Sequence, residues 1–155
     1  KGINVDHLNV EVENIKAYVK LQLMAHDEGF DVEYKIELSL LDEMVPIFIL
    51  QPLVENSIKH GLSKESKGGR IFIRTWMRGE RLWISVSDTG VGMEEERLQQ
   101  IRAALNDGTE NEIGIGVGNI YRRVHGLYED GEMFIYSKKG CGTAVQLAFT
   151  PKDIV

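Results

Sequence analysis

Disulfides, membrane spans and a basic surface are all missing from this 155-residue chain. Its one cysteine, Cys141, rules out an internal disulfide and fits a reducing compartment. No run approaches the roughly 18 apolar residues of a membrane span, and no signal peptide is visible. Lys and Arg number 18 against 24 Asp and Glu, and the net charge of −6 speaks against a general nucleic-acid surface. An anionic ligand stays compatible where a local cation or metal neutralises it. Repeats and low-complexity tracts are absent too. The first residue is Lys1 rather than Met, so a longer parent protein is expected, with any membrane segment upstream of this sequence.

What is present is 43% hydrophobic and 27% charged, enough for one α/β-sized core. Val5, Leu8, Val12, Ile15, Val19 and Leu23 recur at helical spacing and predict an amphipathic helix over 5–26. That stripe either covers the core or belongs to a helical bundle shared with upstream residues. Alternation at Val32, Tyr34, Ile36 and Leu38 predicts a strand. Pro46 is read as the first turn of a second helix that runs to Gly61. Next come a hairpin with arms 70–77 and 81–87, a helix over 94–105 and a polar loop over 106–112. A helix over 120–128 and strands at 132–138 and 143–149 close the chain. This order implies an α/β (α+β) two-layer sandwich with a mixed, mostly antiparallel sheet.

The second helix carries LVENSIKHG, in which Glu55, Asn56, Lys59 and His60 share one broad face at spacings of three and four. Ile47, Leu50, Val54 and Ile58 lie on the other side. A solvated face with a Glu–Lys pair would account for the pattern. Asn is a weak helix former, however, and amide and carboxylate oxygens suit Mg²⁺ while lysine suits a phosphate.

A second signal ends the strand 81–87 and reads SDTGVG. Asp88 has the parity of Leu82, Ile84 and Val86, so its carboxylate points toward the apolar layer and requires a donor there. A purine amine is one such donor; an ordinary Asp-containing turn is the plainer account. Gly90 and Gly92 allow a sharp turn and close approach to a flat ring.

The third signal, Gly114-Ile115-Gly116-Val117-Gly118-Asn119, precedes a helix, whose N-terminus suits phosphate. It is not a dinucleotide fingerprint, because Asn119 stands where a third glycine belongs and no strand precedes it. No P-loop is present. Gly142-Thr143 is a fainter cue: Thr143 shares parity with Val145, Leu147 and Phe149, and taken alone a β-branched residue simply favoured in a strand is the better account.

Taken in order, Glu55-Asn56-x-x-Lys59-His60-Gly61, Asp88-x-Gly90-x-Gly92, Gly114-x-Gly116-x-Gly118-Asn119 and Gly142-Thr143 resemble the Bergerat-type (GHKL) ATP-binding fold. That superfamily joins gyrase, heat-shock chaperone, histidine kinase and mismatch-repair ATPases. LQPLVENSIKHG followed by GIGVGNIYRRV is similar, more narrowly, to sensor histidine kinases of the LytS/YesM type. Residues 9–22, with Glu11, Glu13 and Tyr18, resemble the helix that precedes the ATP domain in that subgroup.

The resemblance implies an ATP-dependent protein-histidine kinase, with residues 1–28 ending a dimerisation and linker region and 29–155 forming the catalytic domain. Asn56 would help hold Mg²⁺ and Glu55 would act as a base or polarising group for the phosphoryl acceptor. Lys59 and His60 would lie near phosphates or ribose. Asp88 would bind the adenine amine, with Gly90 and Gly92 shaping the base pocket and Thr143 supporting it. Gly114, Gly116, Gly118 and Asn119 would cover the phosphates, and 93–113 would be a mobile lid. None of His7, His26, His60 and His125 has the family's phosphoacceptor context, so that histidine is expected upstream. Implied partners are ATP, a response regulator and the chain's own upstream dimerisation helix, in a homodimer and without nucleic acid. The implied setting is the cytoplasmic domain of a membrane-anchored bacterial sensor. The rival readings are a relative acting as an ATPase or protein serine kinase, and a degenerate module that binds nucleotide or a partner without turnover.

Overall fold

The structure, a computed structural model, describes residues 5–25, 29–62, 68–109 and 117–151. Its centre is the hairpin of β4 (Arg70–Arg78) and β5 (Arg81–Asp88), turning at Gly79 with φ +64°. Strict alternation places Ile71, Ile73, Leu82, Ile84 and Val86 on one buried face. Strand β2 (Asp31–Ile36) pairs parallel to β4, and β7 (Gly142–Phe149) pairs antiparallel to β5, with β6 (Glu132–Lys138) outside it. The sheet order is β2-β4-β5-β7-β6, one parallel pair in an otherwise antiparallel sheet. Helices pack on it to form the two-layer α/β arrangement that the order of elements implies.

Helix α1 (Leu8–Ala25) buries Leu8, Val12, Ile15 and Val19 in the same core as the sheet, while Leu23 is exposed. It starts later than the apolar stripe. Val5–His7 is strand β1, antiparallel to β3 (Met44–Pro46). The N–H groups of Leu8 and Asn9 then bond to the carbonyls of Glu43 and Leu41, at 2.8 and 2.9 Å. These carbonyls satisfy donors that the first turn of a helix leaves open, which fixes its start at Leu8.

Pro46 therefore lies in a strand, not in a helix. Helix α2 (Leu50–Asn56) takes Pro52 in its first turn instead, where a missing N–H costs nothing. Strand β2 also stops early, at Ile36. A 3₁₀ turn at Leu38–Leu40 leaves Leu38 82% exposed, although alternation had aimed it inward, and buries Leu40. Helix α3 (Glu95–Asp107) extends into the expected polar loop. Gly108, at φ +74°, ends it in the left-handed conformation, and Thr109 N–H closes on Ala104 O at 2.9 Å. Helix α4 (Gly118–Leu127) buries Ile120 and Val124 and leads into the fully buried Tyr128, which stacks on Phe149.

The other face of the sheet is built differently. Trp76 and Trp83 are cross-strand partners with ring centroids 5.8 Å apart, and Phe134 stacks on Trp83 at the same distance. The guanidinium of Arg74 lies over Trp76, and those of Arg78 and Arg81 lie over Trp83. Arginines cover these half-buried rings there, by cation–π contact.

Candidate functional site

Asp88 ends β5 with its side chain turned into the core face, only 7% exposed. Its Oδ1 accepts the N–H of Gly90 at 2.8 Å and the N–H of Thr143 at 3.3 Å. The first bond is an Asx-type turn within the motif, and the second crosses from β5 to β7. A buried carboxylate is costly unless donors meet it, and here two backbone amides fix its orientation. The inward parity read from the sequence is what the structure has.

Glycines make this corner possible. Gly142 has φ +89°, and a Cβ on it would sit 1.9 Å from Asp88 O. Gly92 has φ +68°, and a Cβ there would sit 2.0 Å from Lys138 O. Gly140 N–H also donates to Val91 O at 2.7 Å. Gly92 and Gly142 are thus pressed backbone on backbone against Lys138 and Asp88, with no room for a side chain at either position. Thr143 faces the same layer, and its hydroxyl pairs with Ser137 Oγ at 2.8 Å. Ser137 had no part in the sequence reading. It was legible only once the register set Ser137 opposite Thr143.

The polar wall comes from α2. Leu53, Val54 and Ile58 are buried, whereas Glu55, Lys59 and His60 are exposed and Asn56 is half-buried. At Ser57–Gly61 the helix widens into a π-helical turn, closed by Leu62 N–H on the carbonyls of Ile58 and Ser57. Such widenings are rare and frequent at functional sites. This helix packs on β5 and its π-helical turn on both β5 and β7, the strands that hold Asp88 and Thr143. Glu55 accepts a hydrogen bond from Gln51 Nε2 at 3.0 Å. It also faces α1: burial, and then the Glu55 charge, push the Tyr18 phenol above its ordinary value.

Residues 47–50 join this wall to two other helices. Glu11 of α1, 4% exposed, accepts Phe48 N–H on Oε2 at 2.9 Å, and Ile49 and Leu50 N–H on Oε1 at 2.9 and 3.4 Å. From α4, Arg123 donates to Ile47 O at 2.5 Å and to Phe48 O at 3.3 Å. Phe48 has φ +55°.

Gly118 is the first residue of α4 and is buried; Asn119 is exposed, and its Oδ1 accepts from Arg122 at 2.6 Å. Both connect to the wall through Arg123, one turn further along α4. Gly114 and Gly116 lie outside the described residues, as do residues 110–112 of the expected polar loop. Among the described residues no three His, Cys, Asp or Glu side chains converge. The donors on the wall are one amide oxygen, at Asn56, beside one carboxylate, at Glu55. That set fits Mg²⁺, which keeps several waters and is bound largely through phosphate oxygens. A groove of about 350 Å³ between α3, α4 and β6, lined by Arg102, Tyr121 and His125 among others, contains none of these residues. Among the described residues no helix is long and apolar enough to cross a membrane.

Comparison with known proteins identifies the family and the fold. Over 139 residues the chain is 30% identical to the sensor protein kinase HptS of Staphylococcus aureus, covering 89% of this chain and 26% of HptS. It is 30% identical over 142 residues to the sensor protein LytS of Staphylococcus epidermidis, covering 92% of this chain and 24% of LytS. The chain thus spans about a quarter of the length of these relatives. Among solved structures, the catalytic domain of histidine kinase ThkA superposes with TM-score 0.71 at 12% identity, covering 97% of this chain and 98% of that one. The histidine kinase domain of the Erythrobacter litoralis EL346 blue-light kinase superposes with TM-score 0.66 at 21% identity, covering 94% and 62%. At such identities the superpositions speak for the fold. The family model for histidine kinase-, DNA gyrase B- and HSP90-like ATPases matches residues 42–153. With Asp88, the α2 wall and the start of α4 all inside that span, the chain belongs to this ATPase family, with sensor histidine kinases among its relatives.

Proposed function

We propose that residues 29–155 are the ATP-binding catalytic domain of a sensor histidine kinase, and that residues 1–28 end the helical region leading from its dimerisation helix. The domain binds Mg-ATP. The bond between the γ-phosphorus and its bridging oxygen breaks, a bond to a histidine nitrogen on an upstream helix forms, and a response-regulator aspartate later receives the phosphoryl group. Positioning and charge neutralisation carry such a transfer, with no covalent intermediate on this domain.

The observation that supports this best is the buried Asp88 carboxylate, whose Oδ1 is fixed by Gly90 and Thr143 N–H. In this reading it accepts a hydrogen bond from the adenine amine. Gly90 and Gly92 bound the base pocket and Thr143 stabilises its back. Asn56 ligates Mg²⁺, which when bound neutralises phosphate charge. Glu55 polarises the acceptor nitrogen, and Lys59 and His60 meet phosphate or ribose. Gly114, Gly116, Gly118 and Asn119 line the phosphate side. Of the 93–113 stretch expected to be a mobile lid, residues 95–107 are helix α3, whose Leu98, Ile101 and Leu105 are buried in the core, so that helix is a fixed wall and leaves the lid role to the residues that follow it. The net charge of −6 is compatible, because Lys59 and the metal supply a local positive field. ATP as substrate and the lone exposed cysteine, Cys141, suit a cytoplasmic setting, with membrane anchoring through upstream segments.

Thermal unfolding with and without Mg-ADP tests nucleotide binding. A ligand at 100 times its dissociation constant stabilises by about 2.7 kcal/mol, and an absent shift at millimolar nucleotide sinks the reading. Phosphotransfer is tested with γ-labelled ATP and a separate fragment bearing the acceptor helix. Label on the fragment, lost with Asn56→Ala, is expected; label appearing only as inorganic phosphate points to an ATPase instead.

A further inference from the structure

We propose that the turn at residues 47–50 couples helix α1 to the nucleotide wall, with Glu11 and Arg123 as its positioning residues. The inference rests on the nucleotide-binding reading and adds a route by which that site is set from outside it.

The turn is gripped from two sides by two side chains. Glu11 collects three consecutive backbone N–H groups, those of Phe48, Ile49 and Leu50, with one carboxylate. Arg123 supplies N–H donors to the two consecutive carbonyls of Ile47 and Phe48. Both polar edges of one short stretch are therefore held by side chains that begin on different helices. Phe48 at φ +55° is the one described non-glycine residue in the left-handed region. Such a backbone persists where its surroundings over-determine it, and these five bonds do so.

What the turn controls is α2, which begins at Leu50 and ends at Asn56. From Leu50 to Asn56 is about 9 Å along a helix axis. A helix this short moves as one piece, so displacing its first N–H groups displaces Glu55 and Asn56. The negative carboxylate at the helix N-terminus also matches the positive end of its dipole. Helix α1 meets the wall a second time, where Tyr18 feels the Glu55 charge. A shift or rotation of α1 pulls on Glu11, then on the turn, then on Asn56. Arg123 links the same turn to α4, whose first residues are Gly118 and Asn119. Holding the turn thus keeps two walls of the candidate site in register.

Coupling is reciprocal, so nucleotide must act back on the turn. The experiment uses this chain and three readouts: unfolding temperature without ligand, Mg-ADP affinity by calorimetry, and amide hydrogen exchange at Phe48, Ile49 and Leu50. Glu11→Gln keeps the shape but turns an –NH₂ toward a backbone donor. We expect it to fold and to bind Mg-ADP at least tenfold more weakly. With Arg123→Gln the loss in affinity should be non-additive. In the unaltered chain, saturating Mg-ADP slows exchange of the three amides. A Glu11→Gln chain that melts lower but binds Mg-ADP with unaltered affinity shows a purely structural contact and overturns the inference. So does unchanged exchange at those amides in the unaltered chain with nucleotide bound, a result that needs no variant to fold. An unaltered chain that does not bind Mg-ADP overturns the nucleotide reading instead.

Discussion

The carboxylate of Asp88 and the backbone amide of Thr143 lie 3.3 Å apart across neighbouring strands, although 55 positions separate them in the chain. Together with Gly90 N–H at 2.8 Å, that amide engages Oδ1. Asp88→Asn can keep Oδ1 and both of these bonds while it replaces the other oxygen with a donor. The variant should therefore melt close to the parent yet bind Mg-ADP about 10–100-fold more weakly, as expected for a lost hydrogen bond to a charged group. Calorimetric titration of both proteins decides it; equal affinities would remove Asp88 from the base pocket.

Gly140 and Gly142 separate backbone strain from steric exclusion. Both have positive φ, +83° and +89°, but a Cβ on Gly140 meets nothing within 4 Å, whereas one on Gly142 lands 1.9 Å from Asp88 O. Gly140→Ala should cost about 1–2 kcal/mol, the left-handed penalty alone. Gly142→Ala should cost about 3–5 kcal/mol, because strand β5 must also move. Urea denaturation of the pair measures the difference.

Tyr128 buries a hydroxyl that has no hydrogen-bond partner among the described residues. Burial pushes the phenol up to about 12, against a smaller opposing pull from Arg123. Tyr128→Phe keeps the stack on Phe149 and removes the unsatisfied group, so stability should stay within about 1 kcal/mol and on the favourable side. A raised pKa favours the neutral form in the native state. Its contribution is intact below pH 10.0, the ordinary tyrosine value, and is lost as pH rises through about 12. The alkaline decline in stability should be shallower in Tyr128→Phe.

Asp130 provides the acid-side counterpart. Burial alone pushes its carboxyl up, but two hydrogen bonds from Thr150, at 2.6 and 2.9 Å, and the charge of Arg81 outweigh that and lower it from 3.8. A lowered pKa contributes stability that is present above 3.8 and lost as pH falls through the native value. The side chain is 38% exposed, so the effect is modest. Thr150→Val should reduce stability at neutral pH and flatten its fall toward low pH, as followed by circular dichroism from pH 6 to 2.

Local pattern carried the sheet and much of the site. Alternation at Leu82, Ile84 and Val86 fixed both the face of β5 and the direction of Asp88, because strand geometry leaves only two choices. Helical spacing likewise gave the wall of Glu55, Asn56, Lys59 and His60. Non-local partners were out of reach. Nothing near Val5 says that it pairs with Pro46, and that pairing is why the first helix begins at Leu8. Proline permits either a strand edge or a first helical turn, so Pro46 and Pro52 fit the rule equally in the sequence, and only Pro52 takes the helical place. Glu11 stands out in the sequence only through the resemblance of residues 9–22, which says nothing of its partners. Its burial depends on a turn 37 positions away.

The chain has only two tryptophans, and both sit in the ladder on the arginine-covered face of the sheet. Their emission is therefore a built-in optical gauge of whether β4 and β5 are paired in register. It reports from the side of the sheet that Asp88 turns away from. A red shift of the indole emission maximum on heating should mark the parting of the central hairpin itself, whereas a nucleotide on the Asp88 side of the sheet should leave that maximum in place.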